Sequence, residues 1–365
     1  MKTKTVKFIL TCGALLFALL VVDSCSSDDP AAVVDKVSLK ASIDAANVLL
    51  TTTIEGAAAG NYIRGSQHPL SHAVVAAQVI ADLPEATQST VTGTRANLDA
   101  AIATYGTQLV VPIDAANLVG QWTFDQILSV TAGSEVKDYS GNSRHGAIKV
   151  GNANLLPAGS GTAALGADRY GVANRALLLD KGANVEIPYN TAFNQPSLSI
   201  SVWVKLLEVR NNRFVGLHSW LGYKFEVEGG NKPFASIGHS GGTYDRDTEL
   251  PILQNIWYHL VVTYTANSMI FYINGQKVKT WDNTPNPAIS ISGTPYNLVL
   301  GCDFPSDKYS SDASGANFDA IGHADYHVIP AAWGGYLHGY LDEVRIYKSV
   351  LTATQVTSIY DLEKP

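Results

Sequence analysis

The chain has 365 residues with 25 basic and 32 acidic side chains, a formal net charge of −7. A negative balance of this size repels nucleic acid and anionic lipid, so neither is an expected partner. Three cysteines are too few for a disulfide scaffold, while 46% hydrophobic residues suffice for packed cores, about two domains at this length.

The first element is an export signal. Lys2, Lys4 and Lys7 precede an apolar run from Phe8 to Val22, fifteen residues against the about 20 that a spanning helix needs. Residues 1–24 are therefore set apart from the fold, and the remainder carries 22 basic and 31 acidic residues, a net of −9. The run ends at Asp23-Ser24-Cys25 instead of a small-residue cleavage site. This resembles a bacterial lipoprotein signal, which implies a lipid on Cys25. Ser26-Ser27-Asp28-Asp29 is similar to the acidic export tag of Bacteroidetes lipoproteins, which implies an anchor in the outer membrane facing the cell exterior. With Cys12 in the signal and Cys25 lipidated, Cys302 stands alone and no intramolecular disulfide can form. Residues 25–35 then read as a tether.

Residues 36–112 have a helical period. Leu39, Ile43, Ala46, Leu50 and Ile54 recur in steps of three and four, as one helix face requires. Gly56, Gly60 and Gly65 break the pattern, and Ser66 to Leu83 resumes it with Leu70, Val74, Ala77 and Ile80 before Pro84. A third run from about Glu85 places Val91, Leu98, Ile102 and Tyr105 on one stripe. The expectation is a three-helix bundle acting as a spacer. The segment resembles a helical module that follows the lipid anchor in surface lipoproteins of gut Bacteroidetes. His68 and His72 lie four apart, but Pro69 between them and the lack of a third ligand make a weak metal site.

From 113 to 365 the pattern changes to short alternating runs punctuated by Gly, Asn, Asp and Pro. "LSISVWVKL" (198–206), "YKFEVEG" (223–229), "WYHLVVTYT" (257–265), "NLVLG" (297–301) and "GYLDEVRIY" (339–347) read as strands. Ser268–Ile273 and Gln276–Trp281 flank Asn274-Gly275, a strong hairpin signal. Many short strands imply an all-β sandwich or jelly roll. The ordered series "LVGQWTFD" (118–125), "DYSGNSRHGAI" (138–148), "ALLLD" (176–180), "LSISVWVK", "WYHLVVTYTANSMIFYINGQKV" and "GYLDEVRIYKSVLTATQVTSIY" resembles a laminin-G-like, concanavalin A-like jelly roll. The resemblance implies two packed antiparallel sheets, a calcium ion near one rim, and recognition of glycans or proteins.

Three sets of residues could carry chemistry. Glucanases of this architecture carry three acids on alternating positions of one strand, a pattern missing here. Glu226 and Glu228 share a strand face but have no third acid, and with Lys224 beside them they read as solvated. Asp342 and Glu343 are adjacent, so a regular strand sends them to opposite faces. Asp342 would travel with the core residues Val344 and Ile346, and Glu343 with solvated Arg345. A buried Asp342 needs a partner. Following the family, Asp125, Asp138, Asn142 and Asp342 are candidate ligands of a structural calcium; alternatively, Asp138 and Asn142 simply shape an Asx-type turn.

The third set lies in two long turn-rich stretches, 239–251 and 303–338, and beside them. Trp220, Tyr223, Tyr244, Asp245, Arg246, Tyr309, Tyr326 and Trp333 combine aromatic faces with polar side chains, the inventory for holding a sugar. His323 and His327 would bind zinc only within a helix, which Gly322 opposes. The expected function is non-catalytic binding of a polysaccharide or host glycan, alongside other surface proteins of glycan uptake. A protein-binding adhesion module and a glycoside hydrolase are the competing readings.

Overall fold

The structure, a computed structural model, describes residues 33–150, 161–217, 222–287, 295–306 and 336–365. Three helices come first: α1 (Val37–Thr52), α2 (Gln67–Asp82) and α3 (Gln88–Gly106). Their facing stripes bury Leu39, Ile43, Ala46, Leu70, Val74, Ala77, Val91, Leu98 and Tyr105 in one core. Tyr62, from the turn after α1, stacks on Tyr105 with ring centres 4.2 Å apart. Thr87 caps α3 by accepting a hydrogen bond from Thr90 N. Ile54 was expected on the α1 stripe, but the helix ends at Thr52 and Ile54 is 69% exposed.

The remainder forms two antiparallel sheets. The strands in chain order are β1 (Leu118–Trp122), β2 (Glu135–Val136), β3 (Gly146–Lys149), β4 (Thr162–Gly166), β5 (Ala176–Asp180), β6 (Asn184–Ile187), β7 (Leu198–Leu206) and β8 (Arg213–Leu217). They continue with β9 (Tyr223–Glu228), β10 (Lys232–His239), β11 (Gly242–Asp247), β12 (Trp257–Thr265), β13 (Ser268–Ile273), β14 (Gln276–Asp282), β15 (Leu298–Leu300) and β16 (Gly339–Tyr347). Sheet one runs β14-β13-β12-β7-β16-β5-β4, with β1 also pairing β16. Sheet two runs β11-β10-β9-β8-β15-β6-β3-β2. The many crossovers between sequence neighbours make this a jelly-roll sandwich.

Alternation fills the space between the sheets. Ile200, Val202 and Val204 of β7 and Leu260 and Val262 of β12 face Phe214, Phe225, Val227 and Ile237 of sheet two. Each such side chain, once fully buried, contributes about 1.5–3 kcal/mol. The β13–β14 hairpin turns at Asn274-Gly275, whose φ values of 50° and 76° are those a tight turn requires.

A further helix, α4 (Ala353–Glu363), follows β16. Thr352 and Gln355 form a reciprocal capping box at its start. Its Val356 and Ile359 pack on Val261, Tyr272, Tyr347 and Leu351 on the outer face of sheet one. The inter-domain segment is tied to this helix: Val111 N donates to Ser358 Oγ (3.1 Å) and Gln355 Nε2 donates to Pro112 O (3.0 Å).

Candidate functional site

Two bulges decide where the charged residues go. In β16, Asp342 pairs with Trp203 but Arg345 pairs with Ser201, so one extra residue sits between them. Glu343 absorbs the irregularity with φ of 48°. Leu341 and Val344 consequently both face the core. This corrects the regular-strand expectation: Asp342 shares the outer face of sheet one with Trp203, instead of travelling with Val344 and Ile346.

On that face Asp342 Oδ2 lies 2.5 Å from Arg169 Nη1. Arg169 Nε also donates to the backbone oxygen of Glu363 in α4. Arg345 bridges Glu343 and Glu363, both at 2.6 Å, and Trp203 Nε1 donates to Glu363 Oε2 (2.8 Å). Burial pushes the Asp342 carboxyl up to about 8 against the opposing pull of Arg169. Glu343 is therefore not the solvated partner of Arg345 that alternation predicted; both belong to a buried network under α4. Sequence reasoning missed Arg169, Trp203, His259 and Glu363, although the T-x-x-Q capping box at Thr352 was a readable sign of the helix that gathers them.

The proposed calcium ligands do not fit as a set. Asp138 is spent on the protein itself: Oδ1 accepts from Gln121 N (2.9 Å) and Ser140 N (2.8 Å), Oδ2 from Ser140 Oγ (2.8 Å) and Arg144 N (2.9 Å). Burial favours its neutral form, but these hydrogen bonds outweigh it and hold the carboxyl below the usual range. Asn142 turns its amide N–H toward the carbonyls of Leu118 (2.8 Å) and Val119 (3.2 Å). Asp125 lies 3.5 Å from Arg175 and Asp342 is held by Arg169. No group of three or more His, Cys, Asp or Glu that could hold a metal exists among the described residues. The Asp138 bond to Ser140 N is that of the Asx-type turn alternative, whereas Asn142 makes no such bond and its amide instead ties the turn to the first strand.

Of the candidate sugar-binding residues, Trp220, Tyr309, Tyr326 and Trp333 lie outside the described residues, as do Cys25, His323 and His327. Tyr223 does not suit that role: alternation along β9 puts it in the core, 0% exposed. Tyr244, Asp245 and Arg246 are split by the same alternation. Tyr244 packs against the core and edge-on to Tyr264. Arg246 covers the rings of Tyr244 (4.1 Å) and Trp281 (5.0 Å). Asp245 points the other way, accepting from Ser236 Oγ (2.5 Å) and Thr243 Oγ1 (3.2 Å).

The outer face of sheet two is the polar one. A second bulge, between Arg213 and Val215, buries both Phe214 and Val215 and turns Arg213 outward. There it meets Glu226 (2.5 Å), Asp303 (2.8 Å) and Glu228 (3.4 Å). Lys224 lies 3.1 Å from Glu226 and 3.8 Å from Glu228. The shared face of Glu226 and Glu228 was legible, their solvation was not: Glu226 is 0% exposed. Burial pushes the Glu226 carboxyl upward, opposed by Arg213 and Lys224.

At the far end of the same face an open cleft of about 350 Å³ is lined by Glu135, His145, Lys149, Glu186, Pro188 and Asn297 among others. Strands β2, β3 and β6 put Val136, Ile148, Val185 and Ile187 inward, so Glu135, Lys149 and Glu186 face outward. Glu186 is fixed by Ser306 N (2.7 Å) and Asn297 Nδ2 (3.2 Å), and Asn297 Oδ1 accepts from Tyr189 N (3.3 Å). His145 Nδ1 accepts from Asp138 N (3.0 Å), which leaves the ring proton on Nε2 as a donor. The cleft thus offers carboxylates, an amide, an ammonium and an imidazole within one concavity.

Residues 179–357 match the family described as the Concanavalin A-like lectin/glucanases superfamily. The C-terminal part of the chain is therefore a laminin-G-like jelly roll of the concanavalin A-like type. Among solved structures it is similar to domain 4 of AbnA, a GH43 extracellular arabinanase from Geobacillus stearothermophilus, in complex with arabinotriose. That pair is 21% identical with a TM-score of 0.46, covering 67% of this chain and 98% of that one. The binding domain of Paraclostridial Mosquitocidal Protein 1 is 15% identical (TM-score 0.45), covering 67% of this chain and 52% of that one. The binding domain of botulinum neurotoxin DC in complex with SialylT is 12% identical (TM-score 0.43), covering 68% and 51%. The matched region thus spans about half the length of these two toxin chains. No curated protein matches the sequence.

Proposed function

We propose that the jelly roll binds a polysaccharide or host glycan without catalysis, in the cleft on the outer face of sheet two. The observation that carries the reading is that cleft: a concavity of about 350 Å³ that mixes apolar surface with polar side chains, of which Glu186, Asn297 and His145 are held in place, in a domain matching the lectin and glucanase superfamily. Glu186 and Asn297 are set by their own hydrogen bonds, so they can meet sugar hydroxyls with little loss of side-chain freedom. The helical bundle serves as a spacer, and a lipid on Cys25 holds the protein on the outer membrane facing outward.

The absence of catalysis is part of the proposal. Glycoside hydrolysis needs two carboxyls flanking a bond, one of them free to protonate the leaving oxygen. Glu226 has no exposed surface, and both it and Glu228 are held by Arg213.

The test is a glycan array with the soluble fragment from residue 36 onward, repeated with Glu135→Ala and Lys149→Ala together, both being exposed cleft residues. Binding that the double variant weakens severalfold is the expected result. Silence on every glycan together with capture of a defined protein partner would give the adhesion reading instead. Sugar release abolished by Glu226→Gln would establish an enzyme. Incorporation of labelled fatty acid that disappears in Cys25→Ala tests the anchor.

A further inference from the structure

The outer face of sheet one carries a row of three side chains that the network under α4 does not use. Trp257 of β12 and Tyr340 of β16 both stand directly opposite Lys205 of β7. Neighbours Val204, Leu206 and Leu341 face the core, so all three side chains project outward. The row lies one pair beyond Trp203, which Tyr360 of α4 covers by stacking (5.8 Å). All three are half-buried. Lys205 Nζ sits 4.4 Å from the centre of the Tyr340 ring and 5.3 Å from that of Trp257, whose rings are 6.1 Å apart.

Among the described residues nothing answers the polar groups of this row. Lys205 has no carboxylate within ion-pair distance, and no hydrogen bond is made by its ammonium, the Trp257 indole N–H or the Tyr340 hydroxyl, among the described residues. The cations buried under α4 on this face are answered: Arg169 by Asp342, Arg345 by Glu343 and Glu363. Burial alone lowers the Lys205 pKa, with no neighbouring charge contributing. A cation held between two ring faces, with further donors at its sides and no carboxylate, is complementary to a ligand having an apolar ring face and an anionic edge.

We propose that Trp257, Lys205 and Tyr340 form a second ligand site that takes a carboxylate-bearing sugar. The C–H face of the pyranose stacks on the aromatic rings, the carboxylate meets the Lys205 ammonium, and the indole N–H and phenol donate to ring or carboxylate oxygens. A neutral sugar fills the same platform but leaves the ammonium unanswered, so the site discriminates by charge. This site is on the opposite sheet from the cleft and does not depend on the reading of the cleft.

The test titrates the mature chain with trigalacturonate and with 3′-sialyllactose, each against its neutral counterpart, following tryptophan fluorescence and binding heat. At least one acidic sugar is expected to bind about tenfold or more tighter than its neutral counterpart; which one identifies the source of the carboxylate. Lys205→Met should erase that preference, Lys205→Arg should keep it, and Trp257→Leu should lose binding to both forms, while Glu135→Ala with Lys149→Ala leaves it intact. The proposal is overturned if neither acidic sugar binds. It is equally overturned if a folded Lys205→Met protein keeps the preference, or if the cleft variants remove it.

Discussion

His259 offers a direct measurement of how α4 is held on sheet one. Its Nε2 lies 2.8 Å from Ser201 Oγ, and its ring lies beside that of Trp203 (5.3 Å), with Tyr360 of α4 stacked across both (6.1 Å from His259, 5.8 Å from Trp203). Nδ1 is buried without a hydrogen-bond partner among the described residues, while Glu363, Arg345 and Arg169 are the charged groups acting on the ring. Burial lowers its pKa from 6.5 to about 4. The native ring therefore refuses a proton that the unfolded chain accepts below pH 6.5. The stability this contributes is complete above pH 6.5 and falls as the pH drops toward 4. The total loss is about 3 kcal/mol, at about 1.4 kcal/mol per pH unit.

Asp342 works with the opposite sign. Its raised carboxyl pKa of about 8 keeps a proton in the native state that the unfolded chain gives up near 3.8, so that contribution declines as pH rises. Comparison with His259→Gln, which does not titrate, removes this background. Urea unfolding of both proteins at half-unit steps from pH 7.5 to 4, followed by the fluorescence of the adjoining Trp203 among the other tryptophans, gives the difference curve. The wild type should lose about 3 kcal/mol more than the variant. Parallel curves across that range would refute burial of a neutral imidazole beneath the helix.

Three further outcomes follow from the geometry. A chelator should leave the melting temperature unchanged within about 1 °C, because the Asp138 and Asn142 groups are already bonded within the protein and Asp342 to Arg169; a drop of several degrees that calcium restores would reverse this. Arg213→Leu should cost about 3–5 kcal/mol in chemical denaturation by leaving Glu226 and Asp303 buried without their shared cation. Tyr223→Phe should be neutral, or stabilising by up to about 1 kcal/mol, since its buried hydroxyl has no partner among the described residues, and should leave glycan binding unchanged.

The candidate sites were only partly legible in the sequence. The side-by-side placement of Glu226 and Glu228 on one face followed from strand period, as did the Asx-type bonding of Asp138 from turn chemistry; the reach of Asn142 back to the first strand did not. The burial of Glu226 did not, because it depends on Arg213 and Asp303, one reoriented by a bulge and the other 77 positions downstream of Glu226. Tyr223 was chosen for its chemistry as an aromatic near a loop, yet its strand phase sends it inward. The Trp257–Lys205–Tyr340 row joins three distant segments, so no local pattern announces it.

The sequence by itself determined the helical stripes of residues 36–112, the Asn274-Gly275 hairpin and the division into a helical bundle and a β-sandwich. These rest on periodicity and turn stereochemistry, which act over a few neighbouring residues. Tertiary structure alone decided the fate of Asp342 and Glu343. A regular strand separates two adjacent carboxylates, but the extra residue at Glu343 shifts the phase, and both end up in the network beneath α4 with Arg169, Arg345 and Glu363. The shift depends on how β16 pairs with β7 and which helix lies across them, and pairing register is a property of the assembled sheet.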